Sequence, residues 1–244
     1  YKLPILTHNA LDAGPYVTCG ASVTKDPDTG IRNIGVYRHQ LHAKNKLGIH
    51  MSEASHVNYI YGKYEAMGKD MPIAITIGHH PAFYLGCLSF APVGVDEYGV
   101  AGALMDQPLE LVKCRTCDLE VPAEAEIVLE GYVSATERQM EAPFGEFTTM
   151  YGGPHMYHVV TVTAITMRKK PIYLDCFSGH LDHQLLGGTG RLSTIYKTVR
   201  MACPTVKDVF MAPSGCCRLS CYVSIHKRHE GEAKNAIGAV LAAD

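Results

Sequence analysis

The chain has 244 residues, of which 47% are hydrophobic and 19% are charged, and this balance excludes an intrinsically disordered or collagen-like protein. The formal net charge is -2, so the sequence predicts no basic surface for nucleic acid or an anionic membrane. No stretch approaches the roughly 20 apolar residues of a membrane span. The nine cysteines are odd in number and scattered, which favours free thiols in a cytoplasmic protein over a disulfide framework.

The first part of the chain is rich in predicted strands. A turn at Asp26–Gly30 separates two extended segments, and two helices are expected, one capped by Ser52 and ended by Gly68, the other over Asp96–Met105. Runs of β-branched and aromatic residues predict strands at Val17–Thr24, Ile31–His42, Met71–Ile77, Ile127–Val133, Tyr157–Met167 and Ile172–Cys176. Strands this close in sequence favour a mainly antiparallel barrel or sandwich.

The pattern changes at Gly179–Gly190, a polar, glycine-rich segment that predicts a domain boundary. A helix, two strands and a helix are predicted beyond it, at Leu192–Met201, Val206–Met211, Cys221–Lys227 and Glu230–Ala243. These residues are too few to bury a core of their own. We therefore expect them to open a second α/β domain, and the missing initial Met suggests a longer polypeptide.

The segment Glu141–Glu146 places two carboxylates around a rigid proline and a permissive glycine, which predicts a shaped loop rather than regular structure. Two acids in unlike environments can divide acid and base roles, because burial raises one pKa and a nearby cation lowers the other. An ordinary solvated loop with two surface acids explains the same composition.

Arg38 lies in an apolar predicted strand, where a half-buried guanidinium normally pairs with a carboxylate, either in a site or in a structural salt bridge. Asn33 precedes it by five residues, so a bulge or strand end is needed if both serve one site. His56 and Glu97, at two predicted helices, would form with Asn33 a donor set for Mg²⁺ or Mn²⁺ rather than Zn²⁺. An isolated helix histidine is more often structural, and the spacing does not reveal such a set.

Cys114 and Cys117 form a lone CxxC pair. No second pair or nearby histidines follow at the spacing of a zinc site, so buried structural cysteines are expected. The glycines of Gly187–Gly190 do not follow a predicted strand, as those of a phosphate-binding loop do.

Several motifs stand in a characteristic order: Asn33–Gln40, Lys44–Leu47, Ser55–His56, Asp96–Tyr98, Leu119–Tyr132 with its EIVLEGY, and the E-x-PFGE of Glu141–Glu146. In these motifs the chain resembles the UbiD family of decarboxylases, which use prenylated FMN on aromatic and α,β-unsaturated carboxylic acids. The resemblance implies an α+β fold. A flavin-reductase-like split β-barrel would cover residues 1–178, and residues 179–244 would begin an α/β C-terminal dimerisation domain that continues beyond this chain.

The resemblance also implies a site. Arg38, Glu141 and Glu146 correspond to the catalytic trio of the family, with Glu146 as the proton donor. The ligands of a divalent metal, Mn²⁺ or Mg²⁺, correspond to Asn33, His56 and Glu97, and K⁺ is a further candidate ion. Cofactor contacts are implied for Asn33, Gly35, Val36, Arg38, Ser55, His56, Ser89 and Glu97. Ala142 departs from the family, which usually has glycine there, and its methyl group could stiffen the loop or narrow the substrate pocket.

We therefore expect a reversible carboxy-lyase that releases CO2 from an aromatic, hydroxybenzoate-like or α,β-unsaturated acid. Its prenylated FMN would come from a flavin prenyltransferase, and the enzyme would be a homodimer or higher homo-oligomer that binds neither nucleic acid nor membrane. Two alternatives stay open: a flavin-binding split-barrel oxidoreductase and a non-catalytic assembly subunit. Nicotinamide consumption would identify the first, and absence of CO2 release the second.

Overall fold

The computed structural model describes residues 3–243 and divides into two compact units. The first unit takes in the chain up to Cys87 together with Ala91–Ser178. The second consists of Leu88–Phe90 and the chain from Gly179 onward. Within residues 3–243, no helix is both long and apolar enough to cross a membrane.

A closed barrel of antiparallel strands forms the first unit, in the order β1-β2-β3-β10-β7-β4. Its strands are β1 (Tyr16–Lys25), β2 (Arg32–Ala43), β3 (Lys46–Ile49), β4 (Met71–Ile77), β7 (Ile127–Glu141) and β10 (His155–Met167). The predicted α+β class with an antiparallel barrel is confirmed. Each barrel strand pairs with a neighbour on both sides, so closure leaves the barrel without an unpaired edge.

Within residues 3–243, the first unit also contains three short helices and two two-stranded sheets. The helices are α1 (His56–Ala66), α2 (Pro81–Cys87) and α3 (Glu97–Met105), and the two-stranded sheets are β5 (Leu111–Lys113) with β6 (Glu120–Pro122) and β8 (Phe144–Gly145) with β9 (Tyr151–Gly152). The prediction that Ser52 caps α1 is wrong, because the Ser55 side chain accepts the N–H of Asn58 while the Ser52 carbonyl accepts from Ser55. Asp96 caps α3 by accepting the N–H of Tyr98.

Both faces of β4 are buried, which explains why its sequence is apolar without alternation. Ile73 and Ile75 belong to one apolar cluster, which also contains Val57 of α1. Ala74 belongs to a second cluster, which contains Phe83 of α2. The barrel is thus packed on one side of this strand by α1 residues and on the other by α2 and α3.

Two predictions about strands in this unit are wrong. Ile172–Cys176 forms no strand, because its backbone N–H groups bond to side chains: Ile172 N donates to Glu126 Oε2 and Cys176 N to Thr18 Oγ1. Strand β7 continues to Glu141, so the first acid of the E-x-PFGE motif ends a strand instead of lying in a loop. Its pairing with β10 extends the ladder to His155.

The second unit contains α4 (Leu181–Ala202), β11 (Val206–Met211), a 3-10 turn (Pro213–Gly215), β12 (Cys221–Ile225) and α5 (Glu232–Ala243). The predicted start of this helix at Leu192 is wrong, since α4 already begins at Leu181, inside the glycine-rich segment of residues 179–190. Its glycines permit close packing: a Cβ at Gly188 would lie 2.6 Å from the Cys217 carbonyl oxygen, and one at Gly190 would lie 2.3 Å from that of Leu88. These glycines fit a helix that packs tightly.

Candidate active site

Arg38 joins the two acids of the E-x-PFGE motif. Its Nε donates to Oε1 of Glu141 at 2.8 Å, and its NH2 group donates to Oε2 of the same carboxylate at 3.0 Å. Its NH1 group donates to Oε1 of Glu146. The structure therefore brings together three residues that lie 103 and 108 positions apart, with a two-pronged bond to one acid and a contact to the other.

The two acids have unlike environments. The Glu141 side chain is 1% exposed and the Glu146 side chain 28% exposed. Burial tends to raise the pKa of Glu141, but the Arg38 guanidinium, which donates two hydrogen bonds to this carboxylate, outweighs burial and lowers that pKa to about 2. Nδ1 of His50 lies 3.8 Å from Glu141, beyond hydrogen-bond length. Glu141 is thus a permanent anion at neutral pH.

His50 is a member of this cluster that the sequence analysis missed. Its Nδ1 lies 3.0 Å from NH2 of Arg38, and its ring packs against Tyr157 with centroids 4.5 Å apart. The hairpin at Lys44–Asn45 does not reveal this by itself, because Ala43 pairs with Lys46, a register that would place His50 opposite His39. A register shift that pairs Leu41 with Leu47 moves His50 opposite Arg38. The backbone N–H of His50 donates to the Arg38 carbonyl at 3.3 Å, in agreement with that register.

The Arg38 guanidinium lies over an aromatic ring. The Phe144 ring centroid lies 4.7 Å from the guanidinium carbon, and the Tyr16 ring packs against Phe144 at 4.5 Å. The Tyr16 hydroxyl accepts the N–H of Ala142 at 3.3 Å, and burial, with the nearby Glu141, raises the pKa of Tyr16 above its ordinary value. Ala142 has φ +77°, a backbone conformation that favours glycine. The Ala142 methyl group is therefore attached to a backbone conformation that suits glycine.

Asn33 and Glu97 form a second polar cluster. Asn33 Nδ2 donates to Oε1 of Glu97 at 3.0 Å, and Ile34 N donates to Oε2 at 2.8 Å. Glu97 is 3% exposed, and its burial raises the pKa of the carboxyl. Asn33 Oδ1 is buried without a hydrogen-bond partner in the described part of the chain, and His56, the first residue of α1, lines the same small cavity as Asn33. An unpaired amide oxygen, a buried carboxylate and a half-buried imidazole fit a hard divalent cation.

No bulge in β2 separates Asn33 from Arg38. Val17 pairs with His39 and Gly20 with Tyr37, so the extra residue lies in β1 and β2 continues without interruption. The two side chains accordingly have different partners, Glu97 for one and Glu141 for the other. The structure brings each set together by itself and shows no side-chain contact between the two sets within the described residues.

The remaining predicted cofactor contacts have mixed surroundings. A Cβ at Gly35 would lie 2.5 Å from the Tyr37 hydroxyl, so packing against the Tyr37 side chain favours glycine there. Val36 is half-buried on β2. The Ser55 hydroxyl is occupied as the cap of α1. Ser89 belongs to the second unit, and its hydroxyl is buried with no hydrogen-bond partner among residues 3–243.

Comparison with known proteins identifies the class. The model of the 3-octaprenyl-4-hydroxybenzoate carboxy-lyase Rift-related domain matches residues 1–181, and that of the C-terminal domain of the same carboxy-lyases matches residues 184–244. The chain therefore belongs to the UbiD family.

Its relatives include the anhydromevalonate phosphate decarboxylase of Methanothermobacter thermautotrophicus, 38% identical over 99% of this chain and 57% of the relative. Among solved structures, an evolved dimeric form of the UbiD-class enzyme HmfF from Pelotomaculum thermopropionicum, in complex with prFMN, is 45% identical with a TM-score of 0.97, over 99% of this chain and 56% of that one. Apo 3,4-dihydroxybenzoic acid decarboxylase from Klebsiella pneumoniae is 29% identical with a TM-score of 0.90, over 99% and 53%. The chain spans about half the length of these proteins.

Proposed function

We propose that the protein containing this chain is a reversible, non-oxidative decarboxylase of an aromatic or α,β-unsaturated carboxylic acid and that it uses prenylated FMN. The observation that carries the proposal is the Arg38 guanidinium held between Glu141 and Glu146. Decarboxylation leaves an electron pair on carbon, and prenylated FMN, when bound, supplies the electron sink that no side chain offers. A flavin-binding oxidoreductase of the same fold would not need this trio.

The unlike surroundings of the two acids support different roles for them. Glu141, with its pKa of about 2 and its two-pronged bond to Arg38, cannot deliver a proton at neutral pH. Glu146 is more exposed, and its contact with Arg38 is made through Oε1. We therefore assign Glu146 as the acid that protonates the carbon after CO2 leaves, a step that contributes roughly 10²–10⁴-fold. Arg38, fixed by Glu141, would orient the substrate carboxylate.

The second cluster would hold the cofactor's ion. Asn33, His56 and Glu97 would bind Mn²⁺ or Mg²⁺, which would neutralise the flavin phosphate. The unpaired Asn33 Oδ1 and the buried Glu97 carboxylate support this assignment. Gly35, Val36, Ser55 and Ser89 would contribute further cofactor contacts, with K⁺ as a second ion.

The wider organisation is proposed from the family. Residues 1–178 would be the cofactor and active-site domain, and residues 179–244 the beginning of a C-terminal domain that forms a homodimer or higher homo-oligomer. A flavin prenyltransferase would supply the cofactor, and the enzyme would act in the cytoplasm. The relatives' names offer three acids for a first screen: anhydromevalonate phosphate, 3,4-dihydroxybenzoate and vanillate.

The test is a CO2-release assay on the full-length protein, produced with and without co-expressed flavin prenyltransferase, against a panel of such acids. We expect release from at least one acid and only with prenylated FMN, with no nicotinamide consumed. Equal activity from protein loaded with FMN alone, or oxidation of a nicotinamide in place of CO2 release, would contradict the proposal.

A further inference from the structure

The turn between β5 and β6 is built from the CxxC pair. Cys114 N donates to the Leu119 carbonyl at 2.9 Å, and Leu119 N donates to the Cys117 carbonyl at 2.9 Å, so both cysteines are fixed by backbone bonds. The sequence predicted buried structural cysteines. The structure instead leaves both half-buried, at the end of a hairpin whose intervening Arg115 and Thr116 are exposed. Two thiols at this position are open to a ligand.

Glu130 of β7 lies beside this turn. It is 2% exposed, and its Oε2 accepts the N–H of Arg115 at 2.8 Å, the N–H of Thr116 at 2.7 Å and the Thr116 hydroxyl at 2.9 Å. None of the ion pairs found among residues 3–243 includes Glu130. Three hydrogen bonds to one of its oxygens fix this carboxylate beside the two cysteines.

The sulfur atoms of Cys114 and Cys117 and a carboxylate oxygen of Glu130 lie within 4.8 Å of one another. A thiolate is the form that binds metals. Two thiolates and one carboxylate suit zinc, whereas magnesium and manganese prefer all-oxygen or oxygen-rich sets.

We propose that Cys114, Cys117 and Glu130 form a zinc site, separate from the Asn33 cluster, in which water occupies the fourth position. The hairpin is linked to α3: the Tyr98 hydroxyl donates to the Glu120 carbonyl at 3.0 Å, and Arg32 bonds both Asp96, at 2.9 Å, and Glu120. Zinc bound between the turn and β7 would therefore fix the hairpin to the barrel, and these contacts would transmit that support to the helix that begins with Glu97.

The first experiment measures metal in the full-length protein under reducing conditions. Wild type should bind about one zinc per chain, and Co²⁺ in its place should give thiolate charge-transfer absorption. Cys114→Ser and Cys117→Ser should each abolish that absorption, and Glu130→Gln should weaken Co²⁺ binding by about tenfold or more. The matched control is Cys221→Ser, since Cys221 is also half-buried but lies in β12 of the second unit. Unchanged Co²⁺ spectra in the Cys114 and Cys117 variants would overturn the proposal.

The second experiment needs no variant and so does not depend on variant folding. Wild type is alkylated with and without added Zn²⁺, and the modified cysteines are mapped by mass spectrometry. Zinc should protect Cys114 and Cys117 and leave the labelling of Cys221 unchanged. Equal labelling in both samples would refute the site. So would a Cys114–Cys117 disulfide that forms in air and persists when zinc is present, because the pair would then be a redox couple rather than a metal site.

Discussion

Arg38 of β2 and His50, which directly follows β3, lie opposite each other, and Nδ1 of His50 is 3.0 Å from NH2 of Arg38. A guanidinium has only donors, so this contact uses Nδ1 of the imidazole as the acceptor. The same NH2 group also donates to Glu141. This arrangement gives the guanidinium a third partner in addition to the two carboxylates. It fixes the plane of the group that we propose to orient the substrate.

The first prediction tests this positioning role. His50→Leu removes the acceptor and should lower kcat by about tenfold or more, because a small misplacement of a positioned group is costly. His50→Asn keeps an acceptor near the Nδ1 position and should recover most of the loss. Steady-state kinetics with a flavin absorbance spectrum separates this effect from cofactor loss. Equal kcat in the Leu and Asn variants would show that the contact with Arg38 has no such role.

The second prediction concerns the proton donor. Glu146→Gln keeps the size of the side chain but removes its acidic proton, so decarboxylation and solvent-deuterium incorporation should fall by about 10²-fold or more while flavin stays bound. The control is Glu137→Gln. Glu137 lies in β7 and pairs with Lys46 of β3, so this change removes only that ion pair and should leave kcat within about twofold. Wild-type deuterium incorporation in the Glu146 variant would place the proton donor elsewhere.

The third prediction follows from the depressed pKa of Glu141. The folded-state value of about 2 lies below the ordinary 4.5, so ionised Glu141 stabilises the fold above that ordinary value, and the stabilisation is lost as pH falls toward 2. The full difference corresponds to about 3 kcal/mol. Glu141→Gln should therefore be less stable than wild type at neutral pH, and the gap should narrow below about pH 4.5. Urea unfolding of both proteins between neutral and acidic pH measures this. A gap independent of pH would contradict the assigned ionisation.

Much of the barrel could be predicted because strand-forming residues are local signals. Met71–Ile77 and the core of β10 are rich in β-branched residues. The failure at Ile172–Cys176 has a physical cause, since this apolar segment bonds to the Glu126 and Thr18 side chains, which no local pattern reveals. The early start of α4 was missed because its glycines were interpreted as marking a domain boundary, although they permit helix packing.

Only the site residues that belong to a recognised family motif could be predicted from the sequence. Arg38 and Glu141 lie 103 positions apart, and composition alone left their pairing open. His50 required the hairpin register, and the Cys114, Cys117 and Glu130 cluster required β7 to pass beside the β5–β6 turn. Such contacts arise from tertiary packing, so a sequence pattern predicts them only when a known family already carries them. The roles of the site residues stay predictions until the variants are measured.

The last prediction concerns the ion proposed at Asn33, His56 and Glu97. If the metal neutralises the flavin phosphate, exhaustive chelation should release flavin from the full-length enzyme rather than leave a loaded, inactive protein. Glu97→Gln should weaken the retention of both metal and flavin, because the site loses the buried charge that holds the cation. Glu124→Gln serves as the control, since Glu124 pairs with Arg168 at the surface. Metal analysis and flavin absorbance after desalting measure both quantities together. Full flavin occupancy after complete loss of metal would exclude the bridging role and leave His56 as an ordinary residue at the start of α1.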